Sequence, residues 1–318
     1  MKFETYDVVL QSTGRFQSEL SVFQTSPPIQ ADFHIDQNMW IGRLPYALSS
    51  STVMDACDST GYNYRPARQN GCRYAFVRKI DSDEYPSYQW DEDGHLGKVL
   101  FLSRLIHPTT VAGQYSARLI FESGKLKTII PGHTSGFGTQ VWIVADDWRD
   151  WLTTAEAEKL RDLLPIYLTT PPVDRVRRAR ARIDYAFHSY YLDQRVTSLV
   201  TGFESLLKVG ERSATAQSRI RVPRLAELFG ITITDDDARA IYGDRSDIVH
   251  GEGPRWKDVD EKLMTLYQKF EQLLRATLLK ASINKTFSQN FASNQAIRNA
   301  FGNLAKTTIW PCAPLLPD

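Results

Sequence analysis

Arg245 and His250 stand five residues apart, with Gly251 directly behind the histidine, in the stretch Ile241-Tyr-Gly-Asp-Arg-Ser-Asp-Ile-Val-His-Gly-Glu-Gly253. An unperturbed imidazole titrates at about 6.5, so it can give or take a proton near neutrality. A guanidinium is always charged, and its planar fork matches two oxygens of a phosphate. A proton carrier beside a fixed cation is the pairing that phosphodiester chemistry without a metal calls for. Spacing alone does not single the pair out, because Arg182 and His188 stand only one residue wider apart. The plainer alternative gives Arg245 a nearby acid as partner and makes His250 an ordinary end-of-helix histidine.

The helix that must carry the pair can be read at both ends. Residues 235 to 249 are good helix material, Asp235, Asp236 and Asp237 put negative charge on the first turn, and Thr234 is the expected cap. Gly251, Gly253 and Pro254 stop it, which sets His250 at the C-terminal end, where unbonded carbonyls favour a protonated ring. Five steps of ~100° leave Arg245 and His250 about 140° apart on a regular helix. They converge on one substrate only if the helix unwinds near the histidine or if a second copy of the chain completes the site.

Helical blocks precede and follow it. Residues 174 to 190 carry Arg175, Arg177, Arg178, Arg180 and Arg182 on a cation-rich face, which reads as a solvated surface or as a flank for phosphates. The next helix sets Val196, Leu199, Val200, Phe203, Leu206 and Leu207 on one core-facing stripe. Glu204 lies on the flank of that stripe, where a half-buried carboxylate needs a cation; Arg245 is the expected partner. Gly210 stops this helix, residues 208 to 218 read as a loop, and Arg219, Arg221 and Arg224 open a short helix. The last long helix, 256 to 281, is apolar at Val259, Leu263, Leu266, Tyr267, Phe270, Leu273, Leu274 and Leu278, and one more is expected after Asn284.

Tyr242-Gly-Asp-Arg-Ser-Asp-Ile-Val-His-Gly251 resembles the Arg-Ser/Asn-x-x-x-His-Gly signature of Apea-like HEPN domains. Arg180-Ala-Arg-Ile-Asp-Tyr-Ala-Phe187 and Asp193-Gln-Arg-Val-Thr-Ser-Leu-Val-Thr-Gly-Phe-Glu-Ser-Leu-Leu207 extend the resemblance, which covers roughly residues 174 to 285. It implies a helical bundle that dimerises across its motif helices and, as in many members, cuts RNA without a metal or cofactor. Under it His250 moves the proton, Arg245 holds the phosphate, Ser246, Asp247 and Glu204 complete the site, and Arg212, Arg219 and Arg221 contact RNA. Ser246 stands where many nuclease members have Asn, Asp or His. The implied activity is a metal-independent endoribonuclease of defence or toxin type. The alternatives are a non-catalytic RNA- or nucleotide-binding module and a dimeric interaction scaffold.

The 318 residues are 42% hydrophobic and 24% charged, as in an ordinary globular protein, and the length allows two domains. The fold class expected is α+β: a β-rich domain over 1–150, a helix and Pro-containing hinge over 151–173, an all-α HEPN-type bundle over 174–305, and an extended tail over 306–318. Strands are expected at 4–10, 16–23, 31–35, 74–77, 99–102 and 114–121. Thr153 and Glu156 form a capping box for a following helix, and Thr170-Pro-Pro-Val173 makes the hinge. The first 150 residues carry 14 Lys/Arg against 17 Asp/Glu and the remainder 24 against 20, so an anion belongs with the C-terminal half.

Other signals are weaker. No apolar run approaches a membrane span and the N-terminus lacks a signal-peptide plan, so a cytoplasmic protein with no membrane partner is expected. Cys57, Cys72 and Cys312, with His95, His107 and His133, match no zinc spacing. The acidic, aromatic stretch 81–94 reads as a solvated loop, with Tyr85, Tyr88 and Trp90 a candidate surface for an unknown trigger, and Ser135-Gly-Phe-Gly-Thr139 reads as a turn.

Overall fold

The computed structural model describes residues 3–12, 32–58, 74–80, 94–109, 112–132, 151–189, 191–210, 214–251 and 260–302. The chain divides into two compact units: Met1–Pro171 with Asp184–Arg195, and Pro172–Ile183 with Val196–Asp318. It therefore passes between units after residues 171, 183 and 195.

The first unit is built on a six-stranded sheet of β1 (Phe3–Ser12), β2 (Phe33–His34), β3 (Met39–Gly42), β4 (Tyr74–Ile80), β5 (Ala112–Glu122) and β6 (Lys125–Pro131). The strand order is β2-β3-β4-β1-β5-β6, with every neighbouring pair antiparallel. The period-2 alternation of β1 decides what each face holds. Tyr6, Val8 and Leu10 join Ala75, Val77, Ala117, Leu119 and Phe121 in a core closed by Val53, Met54 and Cys57 of α1 (Ser50–Asp58). The opposite face of β1 carries Asp7, fully buried and in register with Arg118 on β5. Their side chains meet at two points, Nε to Oδ1 at 2.7 Å and Nη2 to Oδ2 at 2.8 Å. Such a pair offsets the desolvation of both ions only while both are present. β5 and β6 are joined by Ser123 and Gly124, both at positive φ, the backbone that a two-residue hairpin turn with the right twist requires.

Two segments of this unit differ from the sequence expectation. Val99–Leu102, expected as a strand, lies inside helix α2 (His95–Ile106), whose buried Leu96, Val99, Leu102 and Leu105 recur every three residues. A four-residue apolar run satisfies both periods, and only the longer spacing discriminates. α1, β3 and β6 were not expected. α3 (Thr154–Thr169) starts with the capping box foreseen at Thr153 and Glu156 and buries Ala157, Leu160 and Leu164. His107 pairs with Glu156 at 3.1 Å. The strand expected at 16–23, the acidic stretch 81–93, Ser135–Thr139, His133, Cys72 and Cys312 lie outside the described residues.

The second unit is helical. It takes the first ten residues of α4 (Asp174–His188) and most of α5 (Leu192–Leu207), then α6 (Ala214–Glu227), α7 (Asp235–Val249), α8 (Glu261–Ile283), α9 (Lys285–Gln289) and α10 (Asn294–Phe301). The stripe read on α5 is buried at every position, as are Val176, Ala179 and Ile183 on α4 and Leu266, Tyr267, Phe270, Leu273, Leu274 and Leu278 on α8. Phe203 and Phe270 meet edge to face at 5.4 Å. Gly202 lets α5 and α8 approach closely, since a Cβ there would fall 2.8 Å from Leu274 Cδ2. The stretch after Asn284 forms two short helices rather than one. The described fold is thus α+β, with the sheet in the first unit, and among the described residues no helix is long and apolar enough to cross a membrane.

Candidate functional site

α7 positions the motif. Thr234 Oγ accepts the Asp237 N–H at 3.1 Å, and the Asp237 carboxylate accepts the Thr234 N–H at 2.9 Å, a reciprocal cap that fixes the first turn. Ala238, Ile241 and Tyr242 face inward, while Arg239, Ala240, Gly243, Ser246, Asp247 and His250 are exposed. At the other end the His250 N–H reaches Ser246 O at 3.0 Å and Gly251 turns the chain at φ 82°. The helix therefore does not unwind between Arg245 and His250. On this regular helix the two side chains leave the axis about 140° apart.

Arg245 is half-buried, with its Nε buried and without a hydrogen-bond partner. The expected ion pair with Glu204 is not formed. Both groups act instead on the Tyr242 phenol, which is 5% exposed. Burial pushes that phenol far above its ordinary pKa, and the Glu204 carboxylate adds to the rise; the Ser218 hydroxyl and Arg245 oppose it. Tyr242 is the residue that sequence reasoning missed. Its signal was positional, because a side chain three residues ahead of Arg245 shares its side of the helix.

The neighbouring carboxylates differ from one another. Asp244 is half-buried and accepts the Tyr267 hydroxyl at 3.4 Å. Burial raises its pKa, Asp247 raises it further, and Tyr267 pulls the other way. Asp247 and Ser246 themselves face solvent beside His250.

The three expected RNA contacts fare unequally. Arg219 Nε is held by Asp235 Oδ1 at 2.7 Å and Nη2 by the other carboxylate oxygen, so the first turn of α7 already occupies its fork. Arg221 is 2% exposed, and its guanidinium donates to Leu207 O, Gly302 O and Gln217 Oε1. It is an internal tie and not a surface contact, its guanidinium satisfying carbonyls such as Leu207 O that have no partner within their own helix. Arg212 lies outside the described residues. Among the described residues no group of three or more His, Cys, Asp or Glu side chains is placed to hold a metal ion.

The arrangement is an exposed imidazole at a helix end and a half-buried guanidinium one turn earlier on another face, with a donor unspent. No family model, curated protein or solved structure matches the chain.

Proposed function

We propose that this chain is a metal-independent endoribonuclease of HEPN type, acting as a homodimer and belonging to the defence or toxin class of effectors. The observation that carries the reading is Arg245, a guanidinium with an unbonded Nε and no carboxylate paired to it among the described residues, on the helix that ends in exposed His250. An always-charged fork in that state has hydrogen-bonding capacity left for an anion.

RNA supplies the nucleophile. The 2′-oxygen attacks phosphorus, the bond from phosphorus to the 5′-oxygen breaks, and a 2′,3′-cyclic phosphate and a free 5′-hydroxyl result. His250 moves the proton, and Arg245 holds the phosphate oxygens as charge builds on them. With α7 regular throughout, the guanidinium and the imidazole at one phosphate come from different subunits. Ser246 and Asp247 lie on the exposed face beside His250 and contribute polar contacts there, while Glu204, through its field at Tyr242, tunes the surroundings of Arg245.

The test is incubation of purified protein with labelled RNA in EDTA, with analysis of the ends produced. Cyclic phosphate ends are expected. His250→Ala should lower the rate by about 10²- to 10⁴-fold without changing thermal unfolding, because the side chain is exposed. Arg245→Lys should fail as well, since an ammonium cannot make the forked contact. Cleavage at the wild-type rate by His250→Ala would sink the reading.

A further inference from the structure

Five arginines from three helices gather where α5 ends. Arg175 of α4 donates to Lys208 O at 2.8 Å, Ser205 O at 3.3 Å and Asn294 Oδ1 at 2.6 Å. Arg221 of α6 donates to Leu207 O and Gly302 O. Arg224, one turn on, packs on Gly302 so closely that a Cβ there would fall 1.9 Å from its Nη1. Arg178 is near enough to Arg175, and Arg298 of α10 to Arg221, for their charges to act on one another; burial first and these like charges second pull Arg175 and Arg221 below the ordinary arginine range.

The bare carbonyls at the end of α5 account for Arg175 and Arg221. They do not account for the others. Arg178 and Arg224 are exposed and Arg298 is half-exposed, and among the described residues none of the five has a carboxylate partner. The whole chain carries 38 Lys/Arg against 37 Asp/Glu, so five arginines gathered at one place exceed the average of the chain; Asp174, the acid on the first turn of α4, pairs with Arg177 at 3.2 Å, outside the five. Like charges held together repel, and an anion relieves that repulsion. Glu204 lies three residues before Leu207, about 4.5 Å along the axis of α5, so the cluster and the surroundings of Arg245 share one end of one helix.

We propose that Arg178, Arg224 and Arg298 form a phosphate-binding patch that holds the backbone of single-stranded RNA beyond the phosphate being cut. The proposal takes the identity of its anion from the nuclease reading. The patch reads no base, because guanidinium groups facing solvent at a helix end meet phosphates by charge and fork alone. It adds affinity and leaves the chemistry to Arg245 and His250.

The test separates binding from cleavage. In the full-length His250→Ala protein, in EDTA, a labelled single-stranded oligoribonucleotide is titrated over a series of salt concentrations. Against that background R178Q/R224Q/R298Q should bind at least tenfold more weakly at low salt. The slope of log affinity against log salt should fall by ~2, from three phosphate contacts at ~0.7 each. R178K/R224K/R298K, which keeps the charge, should recover most of the affinity and the slope. Thermal unfolding of both variants reports whether the fold is kept, and the lysine set keeps the test valid if the glutamine set unfolds. Wild-type affinity and slope in the glutamine variant would overturn the patch, as would weakened binding with an unchanged slope. Cleavage by the otherwise wild-type chain is scored separately: His250-dependent cutting with arginine-insensitive binding rejects the patch alone, and arginine-dependent binding with no cutting rejects the nuclease alone.

Discussion

Arg245 holds a buried donor that nothing within the described residues accepts. An unsatisfied buried donor of that kind costs about 1–3 kcal/mol. Arg245→Met should therefore raise the unfolding temperature while abolishing cleavage, an opposition of stability and activity that a purely structural arginine would not show. Denaturant unfolding beside a cleavage assay checks both arms, and a destabilised variant would count against the unsatisfied donor. A second titrating group sits in the first unit. His188, 3.7 Å from Asp184, is drawn below its ordinary value of 6.5 by burial and then by Arg104, with Asp184 pulling the other way. A depressed histidine protonates more readily in the unfolded chain, so its contribution is intact above the free value and is lost as pH falls below about 6.5 toward the folded value. Unfolding measured from pH 7.5 to pH 5 should lose stability faster in the wild type than in His188→Gln; equal slopes would remove His188 as the cause. Residue types alone pointed to Arg245 and His250. They could not point to Tyr242, whose part depends on burial, nor show that Arg221 is used up inside the fold.

Helix α7 was readable end to end because its signals are local: a cap at Thr234, acids in the first turn and a glycine past the end. The stripe on α5 was readable because six apolar side chains at helical steps leave no other face for the core. Short elements were not. The β1 alternation runs through a ten-residue strand, whereas the four residues at 99–102 are too few to tell a strand from a turn of helix, and β3 is no longer than that run. Element packing also makes a sharp prediction at Gly202, where the α5 backbone lies against Leu274. Gly202→Ala improves intrinsic helix propensity by roughly 1 kcal/mol yet drives a methyl into Leu274, and overpacking of that kind costs about 1–3 kcal/mol. A net loss is expected on denaturant unfolding, and pairing it with Leu274→Val should recover part of it. A gain in the single variant would mean that Leu274 moves aside freely.

At the scale of the whole molecule, the nuclease reading requires two chains. If each site takes Arg245 from one subunit and His250 from the other, Arg245→Ala and His250→Ala proteins are each inactive, yet their mixed dimers hold one intact site. An equimolar mixture after exchange should recover about a quarter of wild-type cleavage, since half the dimers are mixed and each has one of two sites. No recovery would place both groups of a site in the same chain. The blocks 180–187, 193–207 and 242–251 carried the resemblance to a helical bundle, but no local signal announced that residues 184–195 belong with the sheet. That assignment follows from contacts far apart in sequence, which a pattern of periods and caps does not encode. It also orders events during synthesis. The ribosome releases all six strands before it has made the last dozen residues grouped with the sheet, and by then it has already emitted the first ten of the fifteen residues of α4, which belong to the other unit. Neither unit can therefore be completed from one uninterrupted stretch of chain.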